Sequence, residues 1–187
     1  MLYCISTSWI KLKCSIYGIS YGHRFKVWGD VALKINENVL IGDNIRINSS
    51  FRLNPIAVSN RTSFCVMGEG RLSIGNETGI SNSYFVCMSE IRIGNQVMIG
   101  AGYQLYDNNF HPLISEYRIG RGRDDRFTKS RLIVIDDKAF VGVSTIILKG
   151  TSLEEGSIIG ARSVICGDIP PYEIWAGNPA RFIKKAK

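Results

Sequence analysis

Aliphatic residues recur every six positions along this chain. In the last third, Ile135, Val141, Ile147, Leu153, Ile159 and Ile165 keep that step without a gap. The same step joins Ile74, Ile80 and Val86, and after one extra residue it resumes at Ile93, Ile99 and Leu105. An earlier run holds Ile35, Ile41, Ile47 and Leu53. Four residues after the aliphatic position, the later blocks place small side chains: Ala139, Thr145, Thr151, Ser157 and Ser163. A period of six matches neither the roughly 3.6-residue turn of an α-helix nor the alternation of a long strand. It matches short strands joined by tight corners, each strand sending one aliphatic side chain inward. Three such strands close a triangular coil. Stacked coils, about 4.8 Å apart, pair their backbones above and below and bury a continuous aliphatic column. The pattern predicts an all-β chain of very little helix, folded as a parallel β-helix.

Two stretches break the step, NPIAVSNRTSFCVMGEG and DNNFHPLISEYRIGRGRDDRFTKSRL. The expected organisation is therefore one domain. It has an N-terminal segment over 1–30, coils over 31–105 and 132–170, an excursion loop over 106–131 and a closing segment over 171–187. A length of 187 residues with 45% hydrophobic content suffices for one real core. Five cysteines, an odd number without C-x-x-C spacing, suit free thiols in a reducing compartment better than a disulfide framework or a zinc site. The stretch MLYCISTSWIKLKCSIYG is interrupted by Lys11 and Lys13, so it reads as neither a signal peptide nor a spanning helix. A cytoplasmic chain is expected. The net charge of +7 fits a solvated basic surface or an acidic partner such as a nucleotide cofactor or an anionic lipid-linked substrate. No nucleic-acid recognition motif accompanies it.

The hexapeptide pattern from about residue 30 onward resembles that of the left-handed β-helix acyltransferases. DIPPYEIWAGNPARFIKKAK is similar to their closing segment, and LYDNNFHPL to the loop that carries their catalytic histidine. The resemblance is greatest to the maltose and galactoside O-acetyltransferases and to acetyltransferases of surface-polysaccharide pathways. It implies a left-handed coil, acetyl-CoA as co-substrate, a sugar or glycan acceptor, and a homotrimer whose cofactor groove is shared between subunits. The implied pathway is capsule, O-antigen or exopolysaccharide synthesis.

Acyl transfer from a thioester to a hydroxyl needs a base for the alcohol proton and a donor for the tetrahedral oxyanion. His111 suits the base, since imidazole changes charge near neutral pH. Asp107 and Asn109 are local candidates to orient its ring, with Asp107 preferred. His23 reads as structural or incidental. Two histidines cannot build a three-imidazole zinc site from one chain, so no metal is expected. Cys87 and Cys166, each one residue after an inward position, are rival nucleophiles, but no histidine lies near either, and inert thiols are the better reading.

By resemblance, backbone at Val143, Ser144, Ala161 and Cys166 lines the pantetheine arm, and Arg181 and Lys184 meet the coenzyme phosphates. Phe140, where tryptophan is frequent in the sugar acetyltransferases, still walls the site. Asn82, Glu90 and Asn109 are the candidate acceptor contacts. The basic insertion carries Arg118, Arg121, Arg123, Arg126, Lys129 and Arg131 against Asp124 and Asp125; it screens phosphates or is a plain solvated loop. Other acceptors (serine, an antibiotic, a sugar amine) and a non-catalytic β-helix scaffold stay open as alternatives.

Overall fold

The computed structural model of the chain describes residues 2–50, 54, 61–119 and 125–186. Leu53 of the first hexad run, and Arg121, Arg123 and Asp124 of the basic insertion, lie outside those residues. Three parallel sheets form the faces of a triangular prism. The first face has seven strands, from Ser20–Tyr21 to Asp168–Ile169. The second has eight, from Lys26–Gly29 to Ala180–Lys185, and the third has six, from Val31–Lys34 to Val164–Ile165. Up to the closing hairpin, each strand pairs with the equivalent strand one coil away, so consecutive strands lie on different faces.

The hexad residues stack in register. Ile41, Ile74, Ile93, Ile135, Leu153 and Ile169 form one inward column. Val27, Ile47, Ile80, Ile99, Val141 and Ile159 form the second. The small residues after them, Ala139, Thr145, Thr151, Ser157 and Ser163, are buried at the corners, where a larger side chain has no room.

The third column departs from the expected register. Leu33, Phe64, Phe85, Leu105, Ile147 and Ile165 hold it, so Phe85 replaces Val86 and Leu33 replaces Ile35. The corner between Ile80 and Phe85 is one residue shorter than the one between Ile99 and Leu105. The next strand, Tyr84–Cys87, therefore enters early and turns Phe85 and Cys87 inward and Val86 outward. With a period of two, that slip exchanges the faces of every residue in the strand. Phe85 stacks on Phe64 at 4.8 Å between centroids, filling the gap that an aliphatic residue would leave.

The coils also begin before residue 31, because Ser20–Tyr21 and Lys26–Gly29 already pair with Val39–Ile41 and Arg46–Ser49. Ahead of them α1 (Leu2–Ile16) closes the open end, with Ile10 and Cys14 buried against the core. Thr7 ties it down, its Oγ1 donating to Val27 O and accepting from Val27 N, both at 3.0 Å. At the far end Glu173–Gly177 and Ala180–Lys185 form an antiparallel hairpin. No helix among the described residues is long and apolar enough to cross a membrane.

Along the edge between the first and second faces, one Asx oxygen per coil accepts the backbone N–H of the coil before it. Asp43 receives His23 N at 2.6 Å, Asn76 receives Asp43 N at 2.8 Å, Asn95 receives Asn76 N at 2.8 Å, and Asp137 receives Asn95 N at 2.6 Å. The residue that follows each turns through the left-handed region: Asn44, Glu77, Gln96 and Lys138. On the next edge Gly142 passes so near the following coil that a Cβ there would sit 2.6 Å from Ala161 N.

Candidate active site

The excursion leaves the third face after Gln104–Tyr106 and rejoins the first at Ile133–Ile135. Its base is fixed by Asp107, which is fully buried. The Asp107 carboxylate accepts from Met88 N at 2.9 and 3.0 Å, from Ser89 N at 2.7 Å and from Asn108 Nδ2 at 3.0 Å. Those donors fill its nearest acceptor positions. Asp107 thus holds the preceding coil's corner to the loop, and the structure gives it no bond to the His111 ring it was expected to orient.

The next residues continue the anchoring. Asn108 Oδ1 accepts from Phe110 N at 2.8 Å, Asn109 N donates to Lys129 O at 3.1 Å, and Arg131 N donates to Asp107 O at 2.8 Å. Phe110 turns through the left-handed region, φ 59°, and His111 N closes on Asn109 O at 2.6 Å. His111 is delivered to the surface, exposed, while Pro112 behind it is buried. Past it lies α2 (Ser115–Arg118), whose Arg118 guanidinium donates to Pro112 O at 3.2 Å and Leu113 O at 3.1 Å. Tyr117 stacks on Phe127 at 4.0 Å, joining the two arms of the excursion. Asn109 Nδ2 is buried with no hydrogen-bond partner among the described residues.

The other candidates divide between two edges of the prism. Asp107, Asn109, His111 and Cys166 lie on the edge between the third and first faces, and Glu90 begins the strand that follows it. Asn82, Val143, Ser144 and Ala161 stack along the edge between the second and third faces; Arg162 N, next to Ala161, reaches back to Val143 O at 2.8 Å. Arg181 pairs with Ala176 in the closing hairpin, close to the Gly160–Ala161 corner, and Lys184 stands opposite Ile174. Within one chain the histidine edge and the Val143–Ala161 edge are separate corners. Glu90 is engaged by Arg92 Nε at 2.8 Å. Asn82 is fully buried as a corner residue, its N and O joined to Asn48 O and Gly102 N.

Cys87 is the buried thiol nearest to the loop. Its Sγ donates to Arg71 O at 3.2 Å, and burial, reinforced by the neighbouring Asp107 carboxylate, pushes its pKa up to about 12. Such a thiol stays protonated and unreactive. The sequence also gave no sign of a shallow groove on the second face. Trp28, Arg46, Asn48, Met98 and Phe140 line it, with Met98 and Phe140 directly paired. The outward-facing residue beside each hexad position was the available signal. No group of His, Cys, Asp and Glu among the described residues can hold a metal ion.

No family model matches the chain. A Schizosaccharomyces pombe protein, classed by inference as an acetyltransferase, is 36% identical over 104 residues, covering 56% of this chain and 47% of that one. The chain spans less than half the length of the curated relatives it matches. Among solved structures, a hexapeptide-repeat acetyltransferase from Vibrio cholerae superposes with a TM-score of 0.65 at 24% identity, covering 97% of this chain and 81% of that one. The chain has the hexapeptide-repeat acetyltransferase fold. That fold is the left-handed parallel β-helix which the six-residue period implied by resemblance. Galactoside acetyltransferase in complex with coenzyme A shares it at a TM-score of 0.60, with 20% identity over 95% of this chain and 70% of that one. So does an N-acyltransferase from Bacillus cereus bound to dTDP-4-amino-4,6-dideoxyglucose and coenzyme A, at 0.65 and 18% over 96% and 89%.

Proposed function

We infer that the chain is an acetyl-CoA-dependent O-acetyltransferase that modifies a sugar hydroxyl by direct transfer, with His111 as general base. The observation that carries this reading is the anchored excursion. Asp107, Asn108 and Arg118 fix the backbone on both sides of a surface imidazole at the end of a repeat block. A base must be held within hydrogen-bond reach of the proton it takes, and a pinned loop supplies that. Neighbours of the same fold that carry coenzyme A support the co-substrate.

Asn109, two residues before His111 on the same anchored loop, is the acceptor contact we favour. Val143, Ser144, Ala161 and Cys166 are assigned to the pantetheine arm, Arg181 and Lys184 to the phosphates, and Asn82 and Glu90 to the acceptor. Because the His111 edge and the Val143–Ala161 edge are different corners of one prism, a site using both needs a neighbouring chain. This supports a homotrimer with three shared sites. The reading places the protein in the cytoplasm, in capsule, O-antigen or exopolysaccharide synthesis.

Incubation with acetyl-CoA and a panel of sugars, following release of the free coenzyme thiol, tests it. Release with a sugar hydroxyl acceptor is the expected result. Release only with amino sugars would move the reading to N-acylation, which the Bacillus cereus neighbour's fold equally accommodates. No release with any acceptor would leave the scaffold alternative.

A further inference from the structure

α1 has two apolar faces, and the core uses only one. Ile10 and Cys14, four residues apart, are buried against the first coil. Trp9, Leu12 and Ile16 fall three and four residues apart, so they share a stripe on the opposite side. They are 54%, 51% and 72% exposed, and Tyr17 just beyond is 45% exposed. Packing on the prism cannot explain that stripe, because α1 already meets the prism through its other side.

The charge on the helix itself has one sign. Lys11 and Lys13 occupy the two shoulders of the stripe, and α1 contains no acidic residue. Lys13 sits 5.4 Å from the Trp9 ring centroid and Lys11 5.7 Å from that of Tyr21, so both cations lie at the border of the aromatic surface. Beside Lys11, the cleft under α1 is lined by Arg24, Lys26 and Trp28. Acidic groups at this end include Asp30, which meets Lys13 at 3.7 Å and Arg61 at 3.0 Å, Asp43, which accepts His23 N, and Glu77, which lines a surface cleft with Arg24 and Lys26. Among the described residues Lys11, Arg24 and Lys26 make no ion pair.

We propose that the outward face of α1 docks this end of the prism on a bilayer surface bearing anionic headgroups. Shape and chemistry both favour a lipid surface. The stripe is convex, so a protein partner would need a matching groove, whereas a headgroup layer deforms around a helix lying in its plane. Trp9 and Tyr17 carry the amphipathic rings that settle at the water–hydrocarbon boundary. The flanking lysines can lay their stems along the apolar stripe and leave their ammonium groups among the phosphates. α1 docks without crossing, since no described helix is long and apolar enough to span. The proposal is independent of the reaction assigned above.

Flotation of the full chain with phosphatidylcholine vesicles, with and without phosphatidylglycerol, tests it. The chain is expected to float with the anionic vesicles and to stay below with phosphatidylcholine alone. Replacing Trp9, Leu12 and Ile16 together by serine should lower partitioning on the order of a hundredfold, at an unchanged melting temperature, because these side chains are at least half exposed. Lys11→Gln and Lys13→Gln should each lower it about fivefold, and the loss should shrink as salt rises. Equal flotation of the parent and the triple-serine variant would overturn the proposal. So would equal binding to both vesicle types. If sedimentation instead shows that the triple-serine variant changes oligomeric state, the face is a contact between copies and the membrane assignment fails.

Discussion

His111 and Asp107 sit four residues apart in opposite settings, one exposed and the other fully buried. His111 is exposed and carries no core packing, so His111→Ala is expected to keep the melting temperature and lower turnover by roughly 10²–10⁴. His23→Ala, at a corner where the backbone N–H and C=O are held by Asp43 and Asn44, should leave turnover intact at saturating acetyl-CoA. The opposite result would remove the proposed base. Asp107→Asn is expected to behave differently from either. The amide would turn an NH₂ group towards the Met88 or Ser89 amides, leaving a buried donor facing a donor at a cost of about 1–3 kcal/mol. Its melting temperature should fall together with its turnover. A loss of turnover alone, with stability unchanged, would return Asp107 to the role of orienting the ring. Among the thiols, burial raises Cys14 to about 11 and Cys87 to about 12, while Cys166 is exposed. A charged thiol reagent near neutral pH should label Cys166 well before Cys14 or Cys87, as mass mapping would show; early labelling of Cys87 would contradict the buried register of its strand.

At the scale of the element, the corner ladder is the feature that most needs testing. Asp137 accepts the Asn95 amide, and that hydrogen bond holds its carboxyl below the usual value of 3.8. A depressed folded pKa contributes stability above the unfolded value and loses it as pH falls through the folded one. Asp137→Asn should therefore unfold with a weaker dependence on pH below about 4 than the parent, by fluorescence or circular dichroism. An identical acid limb for both proteins would remove Asp137 from the ladder's electrostatics. The sequence announced this edge only as small polar residues after glycine, in IGDN, IGNE and IGNQ. Nothing in one chain says which N–H each oxygen will accept, because donor and acceptor lie a whole coil apart.

For the whole molecule, the separation of the two edges makes assembly the decisive measurement. Sedimentation velocity is expected to give a trimer, and dilution into monomers should abolish acetyl transfer. A fully active monomer would sink the shared site. Removing Lys184 or Arg181 from the closing hairpin should raise the KM for acetyl-CoA with kcat less affected, since a phosphate contact holds ground and transition states alike. A fall in kcat alone would move these residues away from the coenzyme.

The hexad spacing by itself determined the β-helix, two of its three inward columns and the small corner residues, because a six-residue step has only one compact solution. The histidine loop was legible for the same reason, as the place where the step stops. The tertiary structure decided what depends on distant partners. The shortened corner over 81–83 turns Phe85 and Cys87 inward; the six-residue step registers this slip only as one extra residue before Ile93 and does not say that it falls ahead of Phe85. The 15 residues of α1 gave no helical signal, since its stripe is apolar on both sides and the surface that selects one of them is the first coil. Asp107 looked like a neighbour for His111 because four residues of sequence separate them. Two backbone amides of the preceding coil, brought beside it only when the coils stack, claim its carboxylate instead.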